Sequence, residues 1–262
     1  MLSEQSAVEL AFEKLKNAFQ SGQVTSPVRE IIGDTDIETA YAVQEKLVGY
    51  FLAQGARKVG VKIGLTSESV QKQLGVNQPD FGVLFAHTQL PNMGEIPFSF
   101  LIQPKAEAEM AFVLKEEINK PLASTSELLE KIDYVSAAIE IVGSRVENWN
   151  IRITDTVADN ASASHFVLGE ARITPDLVDF ENAGMKLFRN KEISSEGKAA
   201  ACMGNPLNAV LWLCNTFVEK GVAINKGDII LSGALGPMVP IAPNDTFKAQ
   251  IDGLGEVGFS VN

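Results

Sequence analysis

The apolar residues of this chain change period near residue 56, and that change bounds the fold. Before it, Val8, Ala11, Phe12, Leu15 and Phe19 recur at helical spacing, and Ile37, Tyr41, Leu47, Val48 and Phe51 do so again. Two amphipathic helices are expected. The second has Thr35 followed three places later by Glu38, a capping-box pattern, and stops near Gly55, where a left-handed turn is sterically cheap. Beyond residue 56 alternation takes over and predicts strands at 59–65, 106–114, 134–142, 163–168, 229–231, 247–251 and 255–261. Helical spacing returns only at 125–132 and at 206–220, where Pro206 suits a first helical turn and Gly221 a C-terminal stop. The expectation is an α+β chain, with a small helical N-terminal region (1–56) feeding a larger, mostly β body (57–262). No internal repeat, low-complexity tract or linker interrupts it.

Charge narrows the function classes. The net charge of −11, from 33 acidic and 22 basic residues, disfavours nucleic acid and anionic membrane as partners, and no basic cluster opposes that reading. Glu4, Glu9 and Glu13 break the apolar run that a signal peptide needs, and no stretch approaches a membrane span, so a cytoplasmic protein is expected. Cys202 and Cys214 lie in apolar surroundings without redox or metal spacing and read as buried thiols of a reducing compartment.

Against that background the stretch PKAEAEMAFVL is an anomaly. Read as a strand, it puts Ala106, Ala108, Met110, Phe112 and Leu114 on one side and Glu107, Glu109, Ala111 and Val113 on the other. Neither side looks wet, yet two carboxylates project together, roughly 7 Å apart by the strand rise. In YVSAAIEIVG, Glu140 repeats the pattern, sharing a side with Ser136, Ala138 and Val142. Three partly buried carboxylates facing one space repel one another and lose hydration unless a cation compensates. An oxygen-only donor set suits Mg²⁺ or Mn²⁺. The plainer reading is a solvated strand face, or pairing of the glutamates with Lys105, Lys58 or Arg145.

In KVGVKIGLT, Lys62 stands between Gly60 and Gly64 on one strand face, over space where a substrate can approach its ammonium. Such a lysine serves as proton donor or carboxylate anchor; the alternative is a lysine that snorkels to the surface. GVNQPDFG reads as a loop that holds Asp80 over a pocket as a general base, or as an ordinary turn. The turn SGALGP, with Ser232 and Gly233, offers backbone N–H groups to a substrate carboxylate, though a plain loop reads the same way. No dinucleotide or Walker pattern is present, and neither His87 nor His165 has a partner at metal spacing.

Taken in order, KIGLTS, QLGVNQPDFG, QPKAEAEMAFVL, AIEIVGSR, DTVADNAS, GNPLNAVLWL and GDIILSGALGPMVP resemble the 2-hydroxypenta-2,4-dienoate hydratases, in the hydratase and decarboxylase branch of the fumarylacetoacetate hydrolase superfamily. The resemblance runs over nearly the whole chain. It implies a mixed β-sandwich or roll of the superfamily's C-terminal-domain type behind the helical region. It also implies Glu107, Glu109 and Glu140 as ligands of a divalent metal, Lys62 and Asp80 as an acid/base pair, and Ser162 as a polar pocket residue. The implied reaction is addition of water to 2-hydroxypenta-2,4-dienoate, giving 4-hydroxy-2-oxopentanoate in aromatic meta-cleavage catabolism. A homo-oligomer built on pentameric rings and a decarboxylase partner are implied as well. The neighbouring readings are a 4-oxalocrotonate decarboxylase, a hydratase of a longer or carboxylated dienoate, and a catalytically silent partner of a decarboxylase. The last fits poorly with buried carboxylates that raise the cost of folding.

Overall fold

A computed structural model describes residues 3–67, 71–72 and 76–262. The elements run α1 (Glu4–Ser21), α2 (Arg29–Ile32), α3 (Ile37–Ala53), β1 (Lys58–Gly64), β2 (Asp80–Phe85), β3 (Gln89–Leu90), β4 (Gly94–Ile96), β5 (Lys105–Leu114) and α4 (Thr125–Leu129). They continue with β6 (Ile132–Val142), α5 (Ile153–Ala158), β7 (Ala163–Leu168), β8 (Gly184–Arg189), β9 (Glu192–Lys198), α6 (Pro206–Glu219), β10 (Ile229–Leu231), β11 (Val239–Pro240), β12 (Thr246–Ile251) and β13 (Gly255–Val261). The period change therefore marks a real passage from helix to strand. Gly55 and Gly221 take left-handed φ of 90° and 73° just past α3 and α6. The start of α3 differs from expectation, because Asp36 caps it: its carboxylate accepts from the Thr39 N–H at 3.0 Å and from Thr39 Oγ1 at 2.6 Å. A charged acceptor one residue nearer the helix displaces the expected Thr35 and Glu38 box. Among the described residues no helix is long and apolar enough to cross a membrane.

Two mixed sheets carry the body. The larger has the order β2-β1-β10-β5-β6-β7-β3, with β11 also pairing β5; the smaller has the order β4-β13-β12-β8-β9. The large sheet curls so that β2, at one edge, approaches β7 near the other. Its concave side encloses Leu84, Ala111, Val113, Ala138, Phe166, Ile229 and Leu231. Its convex side packs Ala108, Met110, Phe112, Ala137 and Ile139 against Met185, Leu187, Phe247, Val257 and Phe259 of the smaller sheet. That is why β5 looks dry on both faces, as its alternation suggested: one face lies in the intersheet core, the other inside the curl.

The N-terminal helices pack on one another and on α5, through Ala11, Leu15, Val28, Val43, Leu47, Ile153 and Val157. Helical spacing did not reveal α5, since a six-residue helix is too short to show a period. Its place is set by ion pairs. Arg29 donates to Asp155 from both its backbone and its guanidinium, and Arg145 donates from Nε to Asp159 Oδ1 at 2.6 Å while its ring-facing side lies over Phe19 of α1. The helical layer is thereby tied to the loop that leaves β6.

Candidate active site

Strand register gathers the acidic residues. Glu107 pairs with Glu140 across β5 and β6, and Glu109 lies one rung further on the same inner face. On the other wall of the curl, Lys62 of β1 pairs with Gly82 of β2, and Gly64 pairs with Asp80. Asp80 is thus the first residue of a strand, not a loop residue: the turn signal ends at Pro79, and Phe81 to Phe85 complete a ladder with β1. Gly75, the glycine expected on the far side of that turn, lies outside the described residues, as do Gln73 and Leu74 of the same motif.

Lys62, Asp80, Glu109 and Glu140 are buried, and Glu107 is half-buried where it opens to a cavity of about 540 Å³. Lys62 Nζ stands 3.3 Å from Glu140 Oε2 and donates to the Ala161 carbonyl at 2.9 Å. The two glycines flanking Lys62 differ in purpose. A Cβ on Gly64 would fall 2.2 Å from Asp80 Oδ1 and 3.4 Å from Lys62 Nζ, whereas one on Gly60 would strike the Ile229 backbone. Only Gly64 clears the site; Gly60 lets β10 pack.

Carboxylate oxygens of Glu107, Glu109 and Glu140 come within 4.8 Å of one another. Glu109 Oε2 accepts from the Gly233 N–H at 2.9 Å. Among the described residues, Glu109 Oε1, both Glu140 oxygens and Asp80 Oδ1 are buried without a hydrogen-bond partner. Burial pushes all four carboxyls up. For Glu140 the result is a rise to about 7, with Lys62 opposing; Glu109 goes well above its ordinary range because Glu140 and Glu107 repel its charge as well. Glu107 and Asp80 are also raised by burial, against the pull of Lys62. Burial disfavours the Lys62 ammonium, but Glu140, Asp80, Glu107 and Glu109 together outweigh that and hold it above the usual lysine range. Lys62, with Lys105 near Glu107, does not balance four carboxylates, and the unpartnered buried oxygens that remain are the donors that a hard divalent cation takes. The residues present fit such an ion.

The remaining expected residues divide. Ser162 lines the cavity, its Oγ 3.0 Å from Thr156 Oγ1. Ser232 does not face the cavity: its Oγ accepts from the Met110 N–H and donates to the Gly233 carbonyl. The Gly233 N–H is taken by Glu109, so the SGALGP turn fastens a glutamate instead of presenting free N–H groups there, and Ala234, Gly236 and Pro237 reach the cavity in its place. Cys202 donates to the Ser232 carbonyl at 3.1 Å with its thiol pushed up to about 12 by burial, and Cys214 is likewise buried and free. His165 is held near 4, by burial and by the charges of His87 and Arg145, and shares a hydrogen bond with Ser164.

Lys105, which the sequence offered only as a counter-charge for the glutamates, and Trp149, which it did not single out, both line the cavity. Lys105, on the same face of β5 as Glu107, places its Nζ 4.2 Å from the centroid of the Trp149 ring, and the Trp149 indole donates to the Gln103 carbonyl. Burial lowers the Lys105 ammonium, against the pull of Glu107. The period-2 pattern of β5 contained Lys105 two places before Glu107, and that spacing was the available signal.

Comparison with known proteins agrees with this architecture. The fumarylacetoacetate (FAA) hydrolase C-terminal family model matches residues 56–262. The chain is 50% identical over 254 residues to the TodF product hydratase of Pseudomonas putida (strain F1), covering 96% of this chain and 94% of the relative. It is 47% identical over 249 residues to the 2-keto-4-pentenoate hydratase of Paraburkholderia xenovorans, covering 95% and 93%. Among solved structures, 4-oxalocrotonate decarboxylase from Pseudomonas putida G7, complexed with magnesium and adipate, superposes with a TM-score of 0.94 at 32% identity, over 100% of this chain and 99% of that one. Because the family match begins just before β1 and takes in both sheets, and the relatives align over nearly their full length, the chain belongs to the fumarylacetoacetate hydrolase family.

Proposed function

We propose that the protein is a 2-keto-4-pentenoate hydratase, a metal-dependent hydro-lyase that adds water to 2-hydroxypenta-2,4-dienoate to give 4-hydroxy-2-oxopentanoate. Hydratases at 44–50% identity over nearly the whole chain support that activity. The observation that carries it into the structure is the cavity lined by Lys62, Asp80 and Glu107, with Glu109 and Glu140 buried beside Glu107 in one acidic cluster. Glu107, Glu109 and Glu140 would hold Mg²⁺ or Mn²⁺. When bound, such an ion supplies the missing positive charge and Lewis-acid polarisation of the substrate's C2 oxygen.

In this reading the chain's own residues divide the proton transfers. Lys62 is charged at neutral pH, delivers a proton to C5 and takes up the enolic O–H proton as C2 becomes a ketone. Asp80 then accepts a proton from the water whose oxygen bonds to C4 and passes it to C3, so that one water is added in all and both groups return to their starting states. Burial that raises Asp80 makes it a stronger base than a solvated aspartate. Ser162 and Thr156 orient polar groups of the substrate, and Lys105 faces its anionic charge. A cytoplasmic homo-oligomer working beside a decarboxylase belongs to the same proposal, with light scattering as its first check.

The test is the ultraviolet absorbance decay of freshly generated 2-hydroxypenta-2,4-dienoate with Mg²⁺, Mn²⁺ or chelator, and the product mass. Metal-dependent decay with gain of one water is expected. The near-superposition on a decarboxylase that binds adipate favours one competing reading, in which a 2-oxo-3-enedioate would release carbon dioxide instead. Carbon dioxide release without hydration would replace the proposal by that one.

A further inference from the structure

The turn between α5 and β7 has an unusual backbone. Asn160, Ala161 and Ser162 adopt φ of 54°, 50° and 57°. Isolated non-glycine residues seldom occupy the left-handed region, and three in succession persist only where surrounding contacts over-determine them. Those contacts are present. Asp159 is held by the Arg145 backbone N–H and guanidinium. The Gly143 N–H donates to the Ser162 carbonyl at 2.9 Å. The decisive pair belongs to Asn160: Oδ1 accepts from the Val83 N–H at 2.8 Å, and Nδ2 donates to the Val83 carbonyl at 2.9 Å.

Among the described residues β2 is the edge strand of the large sheet, so the outward N–H and carbonyl of Val83 meet no further strand. The Asn160 carboxamide serves as that missing partner, donor and acceptor in one plane. The adjoining Gly82 gives the turn room, since a Cβ there would fall 2.3 Å from the Asn160 carbonyl oxygen and 3.2 Å from the Ala161 Cβ. With the turn docked on β2, the Ala161 carbonyl stands 2.9 Å from Lys62 Nζ. Lys62 and Gly82 are register partners, so one docking event sets the lysine against the strand that begins with Asp80.

We propose that Asn160 is a positioning residue for Lys62, docking the left-handed turn on β2 so that the Ala161 carbonyl holds the ammonium in place opposite Glu140. The inference rests on the proton-transfer role given to Lys62 above. It acts on geometry and leaves the three glutamates untouched.

Asn160→Asp keeps the volume but places a carboxylate against the Val83 carbonyl, Asn160→Leu removes both hydrogen bonds, and Gly82→Ala presses on the turn from the other side. Each variant is to be assayed for kcat and KM in dienoate hydration, for Mn²⁺ affinity by calorimetry, and for hydrogen exchange of the Lys62 ammonium by ¹⁵N NMR. The expected result is a loss of about 10- to 100-fold in kcat, with KM and Mn²⁺ affinity close to those of the parent protein and faster Lys62 exchange. Folded variants with parental kcat and parental exchange would overturn the inference. If the parent protein fails to hydrate the dienoate, the hydratase reading fails by itself, and the exchange measurement still decides whether Asn160 positions Lys62. Should Asn160→Leu fail to fold, Asn160→Asp and Gly82→Ala carry the same test from opposite sides of the turn.

Discussion

Replacing Glu140 by Gln should stabilise the metal-free protein and weaken its response to metal. Glu140 is fully buried, no described residue gives either oxygen a well-formed hydrogen bond, its one counter-charge contact is the Lys62 ammonium 3.3 Å from Oε2, and burial still raises its carboxyl from 4.5 to about 7. The folded state therefore holds the proton more tightly than the unfolded chain. Between pH 4.5 and about 7 the native protein binds more protons, so stability contributed by this group falls as pH rises and is lost above 7. At 1.36 kcal/mol for each unit, the full penalty is about 3 kcal/mol. The carboxamide leaves polar atoms equally unpartnered, which offsets part of the gain, so about 2 kcal/mol is the expected net stabilisation at pH 8. For a chain of this size that corresponds to a melting-temperature rise of about 4–8 °C. Lys62 keeps Asp80, Glu107 and Glu109 as counter-charges, so it is not stranded by the change. The assay is thermal unfolding in chelator at pH 5 and pH 8, repeated with excess Mn²⁺. Above pH 7 the variant should melt higher than the parent, at pH 5 the difference should shrink, and added metal should raise the parent more than the variant. A variant that melts lower than the parent in chelator at pH 8, or that gains as much from Mn²⁺, would refute the charge-deficit reasoning.

Gly64→Ala should cut kcat by about 100-fold with Mn²⁺ affinity retained, because the new Cβ would displace Asp80 Oδ1 from a distance of 2.2 Å; steady-state kinetics with calorimetry checks it. Lys105→Met should raise KM for the dienoate anion by about 10-fold with little change in kcat, and Lys105→Arg should restore most of the loss, as KM measured across ionic strength would reveal. Arg145→Met strands the buried Asp159 carboxylate and should cost about 3–5 kcal/mol in urea unfolding, more than the double change that also replaces Asp159 by Asn.

Much of the site was legible because strand alternation is a strict rule. Once Pro104 to Leu114 is a strand, Glu107 and Glu109 must share a face, and Glu140 must share its own with Ala138; an apolar frame then makes each carboxylate conspicuous. Lys62 stood out by its flanking glycines and Asp80 by the turn before it, and the motif resemblance added Ser162. The hairpin of β8 and β9 was missed, since Gly184–Arg189 and Glu192–Lys198 alternate weakly and are held by pairing to β12. Asp80 was read as a loop residue because Pro79 is a strong turn signal and edge pairing leaves no local mark.

The sequence alone therefore determined the passage from helix to strand, the faces on which the charged residues lie, and the oxygen-only character of the acidic cluster, all properties of residue order along one element. Tertiary structure decided which faces meet. Pairing of Glu107 with Glu140, closure of the sheet that brings Lys62 across to them, use of the Gly233 N–H on Glu109, and docking of Asn160 on β2 all join residues far apart in the chain. Local periodicity carries no information about such long-range contacts, which follow from the register and curl of the whole sheet.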